Sequence, residues 1–185
     1  MLAKGISLDV HGIEAHFVDI EVDIVKGLPN FIIVGLPDST IKESRERIRS
    51  AIENSGMEFP PRNFVVNLAP AGFKKQGSNF DLPVAIAILK ATGQIDIDLD
   101  SYAIVGELSL DGKVRAVKGT ISMAISLYKS NYKKIIVPYE NRYEASAIEE
   151  IEVYPVKDIM EALSACNNEL EPFTEKKNNI KYEYK

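Results

Sequence analysis

The chain has very little cysteine: Cys166 stands alone among 185 residues, beside two histidines and no tryptophan. One cysteine excludes an intramolecular disulfide and any cysteine-built zinc site, and it fits a reducing compartment. No apolar run reaches the roughly 18 residues of a membrane span, so no transmembrane helix is expected. The amino terminus, MLAKGISLDVHG, alternates and carries charge, unlike a secretory signal. The expectation is a cytoplasmic protein with no membrane partner. An excess of positive charge is missing too. The net charge of -5 argues against a mainly nucleic-acid-binding surface, although a local basic stripe could survive it. Internal repeats and a low-complexity core segment are also absent. What remains, 45% apolar and 26% charged residues, suits one globular domain with a real core.

Alternation of apolar residues predicts a strand over Lys4 to Val10, a turn at His11-Gly12, and a longer strand over Ala15 to Val25. Val18, Ile20, Val22 and Ile24 share one face of it. Asp19, Glu21 and Asp23 share the other, which should meet solvent or a partner. After a short strand over Phe31 to Val34, a helix is predicted from Asp38 to about Ser55. Its inner stripe is Ile41, Ser44, Ile48, Ala51 and Ile52, and Thr40 and Glu43 have the spacing of a capping box. Lys42, Arg45 and Arg49 lie on one outer face. A strand over Asn63 to Leu68 leads into a loop with Lys74 and Lys75, then a helix from about Asp81 to Thr92 with no polar face. That helix should be central and buried. Ser78 and Asp81 again have capping-box spacing, and Pro83 falls in the first turn, where its missing N–H costs little. Further on come a strand over Tyr102 to Glu107, a hairpin signal at Asp111-Gly112, and a return strand at Lys113 to Arg115. A helix over Thr120 to about Ser130 follows, with Ile121, Ala124, Ile125 and Tyr128 inward. Strands over Lys134 to Pro138 and Ile151 to Pro155 alternate with short helices over Asn141 to Ala147 and Lys157 to Ala165. The pattern is α/β or α+β, a mixed sheet covered by helices. Residues 1–165 read as the domain, and residues 166–185 as a polar linker or tail.

Several motifs resemble a known family. They include Gly27-Leu28-Pro29, Ile33-Val34-Gly35-Leu36-Pro37-Asp38, Lys42-Glu43-Ser44-Arg45-Glu46-Arg47, Asn67-Leu68-Ala69-Pro70-Ala71, Gly77-Ser78-Asn79-Phe80-Asp81-Leu82-Pro83 and Gly106-Glu107-Leu108. Over residues 1–165 they resemble the amino-terminal, ChlI-type domain of the YifB/ComM family of Mg-chelatase-like AAA+ proteins. The segment around Ser78 is also similar to the catalytic-serine segment of Lon-type peptidases. The resemblance implies the ribosomal-protein-S5-domain-2-like fold. It also implies a longer parent with an ATPase domain that binds ATP and Mg, a hexameric ring of subunits, and a DNA-processing role. The partners it implies are the chain's own AAA+ domain, neighbouring subunits, and DNA bound without sequence preference.

Lon-type peptidases use a serine activated by a lysine of lowered pKa. In a gap-free alignment Asn79 falls at the nucleophile position and Ile121 at the lysine position. An amide and an alkyl chain supply no such chemistry, so this chain is expected to be non-catalytic and to hold no cofactor. A shifted dyad of Ser78 and Lys118 is the alternative enzyme reading, and a stand-alone interaction domain is the third. The segment Gly106 to Val114 is not a phosphate-binding loop. It has one residue too many between its glycines, and Val114 occupies the Mg-binding hydroxyl's place. His11 and His16 lack the company of a metal site, so no metal is expected. The candidate contacts to nucleic acid or a neighbouring subunit are Lys42, Arg45 and Arg49 on the helix and Lys74 and Lys75 in the loop. On the helix the bland alternative is a solvated face, with Glu46 and Glu53 paired to Lys42 and Arg49.

Overall fold

The computed structural model describes residues 1–175. Strands β1 (Leu2–His11) and β2 (Glu14–Val25) form a long antiparallel hairpin. Strand β3 (Asn30–Val34) leads into helix α1 (Ser39–Asn54), and strand β4 (Asn63–Ala69) leads into helix α2 (Asp81–Ala91). Strand β5 (Tyr102–Ile104) is followed by a small hairpin of β6 (Glu107–Leu108) and β7 (Val114–Arg115), then helix α3 (Thr120–Tyr128). Strand β8 (Lys134–Pro138), a 3-10 turn (Tyr139–Asn141), helix α4 (Arg142–Ala145), strand β9 (Glu152–Val156) and helix α5 (Ile159–Cys166) complete the order.

The main sheet has seven strands in the order β3-β4-β2-β1-β5-β8-β9. The β1–β2 and β2–β4 pairs are antiparallel, and the remaining pairs are parallel. Alternation divides the core between its faces. Val18, Ile20, Val22, Val66, Leu68 and Ile136 pack under α1, α2 and α5. Leu8, Ala103, Ile135 and Val137 turn the other way, against Met123 and Leu127 of α3 and Ala145 of α4. Helix α2 is buried on every side, as its unbroken apolar run requires. On the α3 side the cover is partial. Ile32 and Val34 of β3 and Asp19 of β2 remain exposed there.

Several local expectations are corrected. Neither capping box forms. Helix α1 is capped by Asp38, whose carboxylate accepts the Ile41 N–H at 2.8 Å. Helix α2 has no side-chain cap, because the Ser78 hydroxyl turns to Glu107. Residues 102–107, read as one strand, split into β5 and β6 on either side of Val105-Gly106. In α3 the buried side is Thr120, Met123, Ala124 and Leu127, while Ile125 and Tyr128 are exposed. Ala124 is buried as read, while Met123 and Leu127 take the inward places read for Ile125 and Tyr128. The expected linker is attached for its first part. Leu170 packs on the core, and the Phe173 N–H donates to the Val153 carbonyl at 2.7 Å, at the β9 end of the sheet. The rest of that expected linker, 176–185, lies outside the described residues.

Candidate functional site

The loop before α2 is gathered in by the ends of its neighbours. Asp38, just before α1, accepts the Ile41 N–H with one oxygen and the Gly77 N–H with the other at 3.2 Å. Asp9, near the end of β1, is buried, pairs with His11 Nε2 at 2.9 Å, and accepts the Gln76 N–H at 3.3 Å. Burial pushes its carboxyl above the ordinary aspartate range, while His11 pulls it back. Ser78 Oγ donates to Glu107 of β6 at 2.5 Å, and Asn79 Nδ2 donates to the Leu8 carbonyl at 2.5 Å. Asp9, Asp38, residues 76–79 and Glu107, with Lys118 and Gly119 before α3, line a cleft of about 660 Å³. Here the loop meets the helix start where the Lon resemblance would put catalysis.

Among the described residues no hydrogen bond joins Ser78 to a lysine in this cleft. The amide of Asn79 is fixed on a backbone carbonyl. Ser78 faces a carboxylate, which cannot lower its pKa as a cation would. Ile121 stands in the second turn-forming position of α3, where its N–H donates to Glu144 at 3.2 Å. Lys118 lines the cleft but is exposed.

Two buried ionic groups flank the cleft-lining loop in the chain, Asp81 at the start of α2 and Lys75 just before Gln76. Asp81, the first residue of α2, takes two hydrogen bonds from Arg47 at 2.8 and 3.1 Å, and one from the Leu108 N–H at 3.1 Å. Burial lifts its carboxyl to about 6 against the pull of Arg47, while that bond raises Arg47. Lys75 has no accessible surface. Its ammonium donates to the Gly35 carbonyl at 2.8 Å and to the Pro70 carbonyl, and it lies 4.8 Å from the Phe73 ring centroid. Burial lowers its pKa, with Asp9 acting the other way. Its acceptor, Gly35, must be glycine: at φ +100° a Cβ would stand 2.0 Å from the Leu68 carbonyl oxygen.

The five basic candidates therefore separate. Lys75 is corrected from a surface contact to an internal staple, because it is fully buried with its ammonium on the Gly35 and Pro70 carbonyls. Lys74, next to it, is exposed. Lys42, Arg45 and Arg49 are exposed on α1 as read, but Glu46 and Glu53 line the same groove, of about 520 Å³, with Arg45 and Arg49. Arg45 is committed: Nε donates to the Lys42 carbonyl at 2.9 Å and Nη1 to the Phe31 carbonyl of edge strand β3 at 3.1 Å. Arg49 lies 5.1 Å from the Phe59 ring centroid, and among the described residues it forms no ion pair with Glu53. His11 and His16 flank the Phe73 ring at 5.4 and 5.8 Å. Among the described residues no group of three or more His, Cys, Asp or Glu side chains could hold a metal ion. No described helix is long and apolar enough to cross a membrane.

The sequence reading missed Arg47, Asp9 and Glu107. Arg47 lies three residues after Ser44 and four before Ala51, on the flank of the inner stripe. A carboxylate opening an all-apolar helix needed a partner, and that was the available signal.

Sheet, buried helix and cleft together define a Lon-like α/β domain. The comparisons agree and are more specific. A family model described as subunit ChlI of Mg-chelatase matches residues 20–141. The chain is 49% identical over 138 residues to the uncharacterized protein YifB of Escherichia coli K12, covering 74% of this chain and 27% of that protein. It is 38% identical over 159 residues to the competence protein ComM of Haemophilus influenzae, covering 85% and 31%. Lon protease 2 of Bacillus subtilis is a more distant relative, 32% identical over 126 residues, covering 68% and 22%. The chain belongs to the Mg-chelatase-like ChlI family, among relatives named YifB and ComM. It spans less than a third of the length of these relatives.

Proposed function

We propose that this chain is the non-catalytic Lon-like module of a YifB/ComM-type AAA+ protein. In this reading the ATPase, with its ATP and Mg, lies in another part of a longer polypeptide. The assembled protein is a ring that acts on DNA in the manner of branch migration, in the cytoplasm. The module is a scaffold that packs against its own ATPase domain and neighbouring subunits. The observation that carries the non-catalytic part is the Asn79 side chain, bonded to the Leu8 carbonyl where a nucleophile would stand. The relative named a competence protein supports the DNA-processing part. Lys42, Arg49 and Lys74 are the remaining candidate contacts to DNA or to a neighbouring subunit, with Arg45 bracing β3.

The chain is tested with casein as substrate and a fluorophosphonate probe. No casein cleavage and no covalent labelling are expected. Ser78 and Lys118 line the same cleft, which leaves one second reading, a divergent Ser–Lys peptidase of Lon type. Labelling that disappears in Ser78→Ala would establish that reading in place of the first. The ATPase part is tested on the reading frame beyond Lys185, which should carry a G-x-x-x-x-G-K-[ST] loop between a strand and a helix.

A further inference from the structure

The two faces of the main sheet are unequally covered. Helices α1, α2 and α5 lie on one face. On the other, α3 and α4 pack on Leu8, Ala103, Ile135, Val137 and Val153 of β1, β5, β8 and β9. Among the described residues no helix lies over the rest of that face, which is β3, β4 and the stretch of β2 from Asp19 to Asp23.

The strand register sets the side chains of this uncovered part in rows. Ile32, Val65, Asp23 and Leu2 stand side by side across β3, β4, β2 and β1. Val34, Asn67, Glu21 and Lys4 form the next row, and Ala69, Asp19 and Ile6 the third. Alternation places them all on one face, since their chain neighbours Phe31, Ile33, Val66 and Val22 are buried on the other. Ile32, Val34 and Leu2 are 40%, 41% and 52% exposed, and with half-buried Val65 they make an apolar surface.

Down the middle runs a column of three carboxylates. Among the described residues none of Asp19, Glu21 and Asp23 is in an ion pair. Glu21 accepts the Asn67 amide at 2.9 Å and stands opposite Lys4. Asp19 stands between Ala69 and Ile6, and Asp23 between Val65 and Leu2. Other cations are placed elsewhere. Lys26 and Arg62 lie beyond the ends of β2 and β4. Lys133, beside the Tyr132 ring that meets Phe17, donates to the Tyr128 and Ser130 carbonyls at 3.0 Å. Three carboxylates against the one ammonium of Lys4 leave the rows acidic.

We propose that this face seats an α-helix from outside the chain, apolar where it meets β3 and β4 and bearing Lys or Arg along the edge that meets β2. From β3 to β2 is two strand spacings, about 10 Å, which is the width of one helix with its side chains. One helix therefore completes the layer that α3 and α4 begin. Along β2 the carboxylates are about 6.8 Å apart, near the 6.0 Å rise between positions i and i+4 of a helix. Cations at i, i+4 and i+8 meet the column in step. A second copy joined face to face would set carboxylates against carboxylates, and phosphate is repelled by the same column. The inference goes beyond the proposed function and does not depend on it, since only the sheet enters it.

The test is fluorescence anisotropy of the 185-residue chain with a labelled synthetic peptide of about four helical turns, with Leu in one stripe and Lys at i, i+4 and i+8 beside it. Saturable binding is expected, with helical circular dichroism gained by the peptide. A peptide of the same composition with the stripe scrambled should not bind. Asp19→Asn/Asp23→Asn should weaken binding about fivefold, as the loss of two exposed ion pairs does. Ile32→Thr/Val34→Thr keeps the β-branched shape and removes apolar surface, and should weaken it about tenfold. Asp96→Asn/Asp100→Asn, the same charge change in the exposed loop before β5, should bind as the unchanged chain does. No binding of the patterned peptide would overturn the proposal. Equal binding of the scrambled peptide, or an equal loss in the Asp96/Asp100 variant, would also overturn it and mean net charge alone. Self-association of the chain in light scattering that disappears in Ile32→Thr/Val34→Thr would overturn it by putting a second copy on the face.

Discussion

The start of α2 with the loop before it and the end of β9 both carry charge, yet they hold it in opposite ways. At the start of α2, Asp9, Asp38, Asp81, Glu107 and Lys75 each have an internal partner: a backbone N–H, a carbonyl, a hydroxyl, His11 or Arg47. At the end of β9, Arg142 and Lys157 lie on the exposed Tyr139 ring, and among the described residues neither forms an ion pair. A charge with an internal partner serves the fold, and removing it leaves the partner buried and unsatisfied. A cation on an exposed ring keeps its water, and removing it costs the fold little. Mutations at the start of α2 should therefore cost more stability than mutations at the end of β9.

The largest effect should come from the ion pair at the start of α2. Asp81→Ala leaves the Arg47 charge half-buried and the Leu108 N–H without its acceptor, and should cost about 3–5 kcal/mol in urea unfolding. If Lys157→Glu cost as much, the contrast between the regions would collapse. Lys75→Met should come next. It keeps the side chain's length and removes the ammonium from two carbonyls, for a loss of about 1–3 kcal/mol. A surface lysine would show no such loss, so this variant separates Lys75 from Lys74 directly.

The pH dependence sharpens the same point. Burial holds Asp81 at about 6 in the folded protein, above the 3.8 of an ordinary aspartate. The folded state thus binds a proton that the unfolded state does not, between those two values. This group's contribution to stability is fully present below about 4 and is lost as pH rises through about 6. Urea midpoints of the unchanged chain and Asp81→Asn, measured across that window, should differ in slope by about 1–3 kcal/mol in total. The variant lacks that loss of stability with rising pH, although it is the weaker protein at neutral pH.

The smallest effects test the edges of the comparison. Ser78→Ala removes one hydroxyl bond to Glu107 and should cost about 1 kcal/mol. Lys74→Glu, on the exposed side of the same loop, should stay within about 0.5 kcal/mol of the unchanged chain. A larger loss for Lys74→Glu than for Lys75→Met would reverse the assignment of the two lysines.

The sequence by itself determined the elements whose periodicity is strong. Alternation through Val18, Ile20 and Val22 marked the inner face of β2, the stripe from Ile41 to Ile52 marked α1, and the all-apolar run after Asp81 marked a buried helix. Its motifs also carried the family, because they are local strings. Pairing across the chain was not local, and only the tertiary structure decided it. Strand order, the Arg47–Asp81 pair 34 residues apart, and the Asn79 bond to Leu8 at a separation of 71 have no trace in spacing. Lys74 and Lys75 make the limit plain. They are the same residue type in adjacent positions of one loop, so composition and pattern treat them alike. One points to solvent and the other is buried on two carbonyls, since which side of a loop faces the interior is set by what packs against it.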